Sequence, residues 1–142
     1  MAVSESAGFE YFEVEADIGV RAWGPTLAEA LAQAALGALA LVIRPDEVEA
    51  REWREVRAQG DSPEALVVAW INECLYVHEI EGFAVARVEV ETLTGDLAHG
   101  RLFGEPIDLA RHRPGTVVKA ATMHQVSVRT ADRVEIRVVL DV

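Results

Sequence analysis

Glu13-Val14-Glu15-Ala16-Asp17-Ile18-Gly19-Val20-Arg21-Ala22 alternates apolar residues with polar residues or glycine. A period of two marks a strand with one face on a core, because successive side chains point to opposite sides. The pattern runs from Tyr11 to Trp23 and predicts one continuous strand, with Val14, Ala16, Ile18, Val20 and Ala22 turned inward. Glu13, Glu15, Asp17, Gly19 and Arg21 then share the outward face. Successive carboxylates on such a face lie about 7 Å apart. Their repulsion calls for solvent, a cation or Arg21.

Moving outward, Gly24-Pro25 turns the chain, and Thr26-Leu27-Ala28-Glu29 reads as a capping box in which Thr26 accepts the Glu29 amide and Glu29 returns to the Thr26 amide. The helix it opens carries Leu31, Ala34, Ala35, Ala38, Leu39 and Val42 and stops before Pro45. Glu47 to Ala58 reads as extended, with an irregular alternation that predicts a bulge or a register change. Ser62 as N-cap and Pro63 in the first turn start a second helix, Glu64 to about His78. It is apolar on nearly every side except Asn72-Glu73, which makes it a central helix.

The strands Phe83–Glu91 and Leu97–Phe103 follow, joined through Gly95-Asp96. A polar loop from Gly104 to Gly115 contains a short turn at Ile107–Ala110, and Val117–Val128 and Val134–Val142 form a hairpin around Ala131-Asp132. The order β-α-β-α-β-β-β-β predicts an α+β fold in which a largely antiparallel (mixed) sheet packs on two helices. Residues 1–8 read as a flexible N-terminus and 9–142 as a single domain.

The net charge of −11 argues against an independent nucleic-acid binder. It is uneven, since residues 1–100 hold 6 basic and 19 acidic side chains while 101–142 hold 7 and 5. An acidic body suits a basic protein partner or cations, and it also serves solubility. Cys74, the only cysteine, sits in an apolar run and reads as a buried thiol in a reducing, cytoplasmic setting. The longest uncharged stretch, Leu31 to Ile43, is shorter than the ~20 residues of a bilayer span.

The usual chemical motifs are missing. Gly95, Gly100 and Gly104 form no phosphate loop, no Gly-x-Ser-x-Gly elbow occurs, and His78, His99, His112 and His124 lack zinc spacing. Arg111-His112-Arg113 suffices for one anion contact and no more. Carboxylates remain. In the last strand Ile136, Val138 and Leu140 share one face, which leaves Asp141 outward beside the α-carboxylate of Val142. Asp141 is either a solvated tail residue or, if its strand neighbours the first, one half of an oxygen site with Asp17. Oxygen-only ligands favour Ca2+, Mg2+ or Mn2+ over zinc or copper.

Six short blocks, in order, are shared with a known family: Ala16-Asp17-Ile18-Gly19-Val20, Trp23-Gly24 with Thr26-Leu27-Ala28-Glu29-Ala30, Trp70-Ile71-Asn72-Glu73-Cys74-Leu75-Tyr76, Gly104-Glu105-Pro106-Ile107-Asp108, Lys119-Ala120-Ala121-Thr122-Met123-His124 and Leu140-Asp141-Val142. Over Phe9 to Val142 the chain resembles the archeases, small acidic partners of the tRNA-splicing RNA ligase. The resemblance implies an α+β fold and an activator, not itself an enzyme, that promotes ligase guanylylation and repeated turnover in tRNA splicing. It also implies a divalent cation, Ca2+ in the family, on Asp17, Asp141 and main-chain or terminal oxygens of Val142. Where the family commonly reads Asp-His-Thr-Ala-Asp, this chain has Glu13-Val14-Glu15-Ala16-Asp17, so the histidine is lost and Glu15 becomes a further oxygen candidate. The rival readings are a general acidic chaperone or adaptor for basic clients, a small metal-dependent hydrolase, and a plain interaction module.

Overall fold

The alternating stretch folds as a hairpin rather than one strand. The computed structural model describes residues 7–142, and in it β1 (Gly8–Val14) pairs antiparallel with β2 (Asp17–Gly24), Val14 opposite Asp17. Glu15 and Ala16 form the connection, with Glu15 at φ 31°. On β2 Ile18, Val20 and Ala22 keep the expected inward face, but on β1 the phase inverts. Glu13 pairs with Ile18 and Val14 with Asp17, so Val14 and Glu13 exchange the faces the alternation predicts, and Ala16 is exposed in the turn. The column of Glu13, Glu15 and Asp17 on one strand is thereby corrected: Glu13 lies on β1, Glu15 in the turn and Asp17 at the start of β2. The flexible start read at residues 1–8 falls largely outside the described residues, whose first strand begins at Gly8.

Helix α1 (Leu27–Val42) is capped by Thr26, whose hydroxyl accepts the Glu29 amide at 3.2 Å. Glu29 closes the box through that same hydroxyl, which donates to its carboxylate at 3.0 Å, and not through the Thr26 amide. Ala30, Ala34, Ala35 and Ala38 are fully buried, so the helix lies close on its neighbours. Enlarging any of them would overpack the core at a cost of ~1–3 kcal/mol. A 3-10 turn (Pro45–Glu47) then leads to β3 (Glu52–Gln59), whose ladder with β5 (Leu97–Pro106) is regular. The expected bulge lies instead in β4 (Phe83–Leu93), at the register shifts Val85/Arg87 and Val90/Thr92.

Helix α2 (Pro63–Glu81) starts at the Ser62 cap and runs three residues beyond His78. It ends at Gly82 with φ 62°, a left-handed cap that glycine adopts without a Cβ penalty. Strands β5 (Leu97–Pro106), β6 (Ala120–Thr130) and β7 (Val134–Asp141) complete the chain. All strand pairs are antiparallel, in two sheets of order β1-β2-β7-β6 and β3-β5-β4. Both helices touch both sheets, so one core serves all the elements, with Trp70, Phe83, Leu31 and Ile136 fully buried at its centre. Cys74 is buried among them, and burial pushes its thiol up.

Candidate functional site

Strands β2 and β7 are neighbours, with Ile18 opposite Leu140, Gly19 opposite Val139 and Val20 opposite Val138. The next step of that register sets Asp17 across from Asp141. Val20, Ala22, Ile136, Val138 and Leu140 are buried toward the helices. Asp17 and Asp141 are one or three positions removed from these residues along their strands, so both take the opposite face. Side chains directly opposed on neighbouring strands have Cβ atoms about 4.5–5.5 Å apart, within reach of one ion bound at about 2.3–2.6 Å.

Two contacts hold the third strand against this pair. The Lys119 amide donates to the Asp141 carbonyl at 2.8 Å, where Ala120 pairs with Asp141. Asn72 of α2 clasps the backbone of Ala121, its side-chain oxygen accepting the amide at 2.7 Å and its nitrogen donating to the carbonyl at 3.3 Å. The polar notch in an otherwise apolar helix therefore positions β6 beside the last residues of β7. Glu73, its neighbour, turns to solvent.

The outer face around the pair is not bare. The Phe12 ring lies over Gly19, where any Cβ would collide with it, and the Arg137 guanidinium stacks 4.2 Å from the same ring. Farther along, Arg21 bridges Glu10 at 2.6 Å and Glu135 at 2.8 Å. Both carboxylates raise its pKa. Arg21, offered by sequence as relief for the acids, is thus engaged elsewhere. Among the described residues neither Asp17 nor Asp141 forms an ion pair within 4.0 Å.

No group of three or more His, Cys, Asp or Glu side chains converges as a metal cage among the described residues. A cation on Asp17 and Asp141 would have to complete its shell from main-chain oxygens such as those of Val142 and from water. That donor set is hard oxygen throughout and fits Ca2+, Mg2+ or Mn2+. Glu15 occupies the hairpin turn and is exposed.

A second carboxylate centre escaped the sequence reading, which placed Gly104-Glu105-Pro106 in a polar loop. Glu105 belongs to β5 and is fully buried. One oxygen accepts from Arg51 at 2.7 Å and Arg111 at 2.8 Å, the other from the Glu49 amide at 2.9 Å and His112 Nε2 at 3.0 Å. His112 is buried too, and its Nδ1 accepts the Asp108 amide at 2.9 Å, which leaves the ring proton on Nε2. The Arg111 hydrogen bond leads in holding Glu105 far below the usual carboxylate range, with the Glu49 amide, His112 and Arg51 adding to it against the cost of burial. The only available signal was an acid followed six and seven residues later by Arg111 and His112.

Residues 9–142 match the Archease protein family (MTH1598/TM1083). A protein archease of Thermococcus gammatolerans is 38% identical over 123 residues, 84% of this chain and 87% of that one. Another, from Pyrobaculum islandicum, is 33% identical over 136 residues, 93% and 92% of the two chains. The solution structure of Methanobacterium thermoautotrophicum protein 1598 superposes with a TM-score of 0.77 at 29% identity, covering 95% of this chain and 99% of that one.

Proposed function

The chain belongs to the archease family, and from that premise we propose that it is a protein activator of a tRNA-splicing RNA ligase. In this reading it promotes guanylylation of the ligase and multiple turnover in tRNA splicing and RNA repair, in the cytoplasm, and catalyses no step itself. A divalent cation, Ca2+ first among Ca2+, Mg2+ and Mn2+, would be held by Asp17, Asp141 and a main-chain oxygen of Val142. The observation that supports the reading is the β2–β7 register, whose next step beyond Ile18–Leu140 would oppose Asp17 and Asp141.

Bound there, such an ion would supply positive charge that screens phosphate oxygens. The chain's own residues supply position. Asn72 and the Lys119 amide keep β6 against the Asp141 backbone, and the hairpin holds Asp17 at the mouth of β2. The partner ligase provides the nucleophile and the nucleotide. Nucleotidyl transfer depends on alignment and charge neutralisation more than on new covalent chemistry from the protein. An activator that presents a fixed pair of acids at the contact can therefore change a rate without reacting.

The test is guanylylation of purified ligase with wild-type protein, Asp17→Ala and Asp141→Ala, alongside Ca2+ titration of the same three proteins. Loss of both stimulation and Ca2+ binding in either variant is the expected result. Equal stimulation by all three would overturn the carboxylate mechanism. If that stimulation also faded in high salt, the net charge of −11 would instead favour a general acidic adaptor for basic clients.

A further inference from the structure

The end of the molecule that carries Asp17 and Asp141 also carries an apolar hollow. It has a volume of about 260 Å3 and lies between the β1–β2 hairpin and the last turn of α1, lined by Tyr11, Phe12, Glu13, Asp17, Ile18 and Leu41. Its wall is fixed, because the Tyr11 phenol donates to the Gly37 carbonyl at 2.7 Å while the residue stays 42% exposed. Burial pushes that phenol up to about 12, so it keeps its proton and the hydrogen bond at neutral pH. Beyond the Leu41–Val42 ridge a second hollow of about 180 Å3 opens beside Leu75, Val117 and Val118. Val117 is 70% exposed. The Gly115 and Thr116 amides donate to the Val42 and Leu41 carbonyls at 2.7 and 2.8 Å, tying the 107–119 connection to this helix end.

The rim of the first hollow is acidic. Glu13 and Glu15 are exposed on the hairpin, with Asp17 and Asp141 beside them. None of the four forms an ion pair among the described residues, whereas Glu10, Glu135, Glu89, Glu91 and Glu105 all do. An open apolar surface sits poorly in water and is covered favourably by an apolar group. Unpaired acids around it select what flanks that group.

We propose that this hollow receives one apolar side chain, of leucine or phenylalanine size, from a partner protein segment in which that residue is flanked by lysine or arginine. The proposal deepens the function above, on which it rests for the partner being a protein, and it is separable from the cation. Apolar burial provides the hold, and the basic flanks provide register against Glu13 and Glu15. One cation on the aspartate pair leaves both glutamates free for this contact.

Two probes test it. The first is a basic peptide with one leucine between paired lysines, compared with the same peptide carrying alanine there, followed through the methyl resonances of Ile18 and Leu41. The leucine peptide should shift both methyls and bind about tenfold more tightly than the alanine peptide. The second is the intact ligase, titrated against wild type, Leu41→Trp, which fills the hollow, and Glu13→Lys, which reverses an exposed rim charge and leaves folding untouched. Each variant should weaken ligase and peptide binding about tenfold, while Ca2+ affinity of Leu41→Trp stays within roughly threefold of wild type. Equal affinity for the two peptides, or leucine-peptide binding unchanged in both variants, overturns the inference even if stimulation is intact. Leucine-selective binding at Ile18 and Leu41 without any effect on the ligase upholds the inference and removes the ligase as partner.

Discussion

Two carboxylate centres in this protein have opposite surroundings. Glu105 is fully buried and accepts four hydrogen bonds, two of them from arginines, so every lone-pair direction is answered from within the chain. Asp17 and Asp141 stand one step beyond the Ile18–Leu140 pair of the β2–β7 register, with no cation of the chain paired to either among the described residues. The first arrangement stabilises the native state, because a buried charge survives only when paired and hydrogen-bonded. The second gains nothing for the fold, since like charges brought together repel. Under the proposed function, an ion from outside would be the partner of such a pair. The contrast sets a carboxylate satisfied by the scaffold against a pair that the proposed function would use as a site.

Mutation should split the two centres most widely in stability. Replacing Glu105 by alanine leaves His112 buried without its acceptor and releases Arg51 and Arg111, which should cost about 3–5 kcal/mol. Asp17→Asn should change stability by less than about 0.5 kcal/mol, or raise it slightly by removing repulsion. Urea unfolding midpoints of the two variants check this, measured without divalent cations. A small loss at Glu105 would mean that the cluster is solvated and that the division fails.

Acid should separate them next. Glu105 is held far below its unfolded value, with the Arg111 hydrogen bond foremost. A depressed carboxylate contributes stability that is present above its unfolded pKa of about 4.3 and is lost as pH falls through the folded value. Glu105→Gln lacks that proton linkage. The gap in unfolding free energy between wild type and Glu105→Gln should therefore be constant from pH 7 to about pH 5 and narrow below about pH 4. A gap independent of pH down to pH 3 would assign the stability of the cluster to packing alone.

The two centres also differ in how far they could be read from sequence. The aspartate pair was accessible because strand alternation assigns each acid to a face, and family resemblance joined residues from opposite ends. The helix caps at Thr26 and Ser62, the central α2 and the terminal hairpin were equally accessible, since each depends on neighbours within a few positions. The Glu105 cluster was hidden because Glu49 and Arg51 reach it only through the β3–β5 pairing. Gly-Glu-Pro also imitates a loop. The β1–β2 turn was hidden for another reason. A two-residue hairpin connection usually advertises itself with Asn or Gly at positive φ, and here Glu15 takes that position inside an unbroken alternation.

Glu15 gives the smallest effect and the finest test of where the site ends. At φ 31° a glutamate bears backbone strain that glycine would relieve, while glycine adds freedom to the unfolded chain. Those terms oppose, so Glu15→Gly should alter stability by less than about 0.5 kcal/mol. If the site consists of the opposed aspartates and main-chain oxygens, Ca2+ affinity of this variant should fall by less than about threefold, the loss of one exposed and screened charge. A drop of a hundredfold or more, comparable to Asp17→Ala, would make Glu15 a ligand. The strained turn would then be part of the site, a residue held in an unfavourable conformation because its carboxylate is needed there.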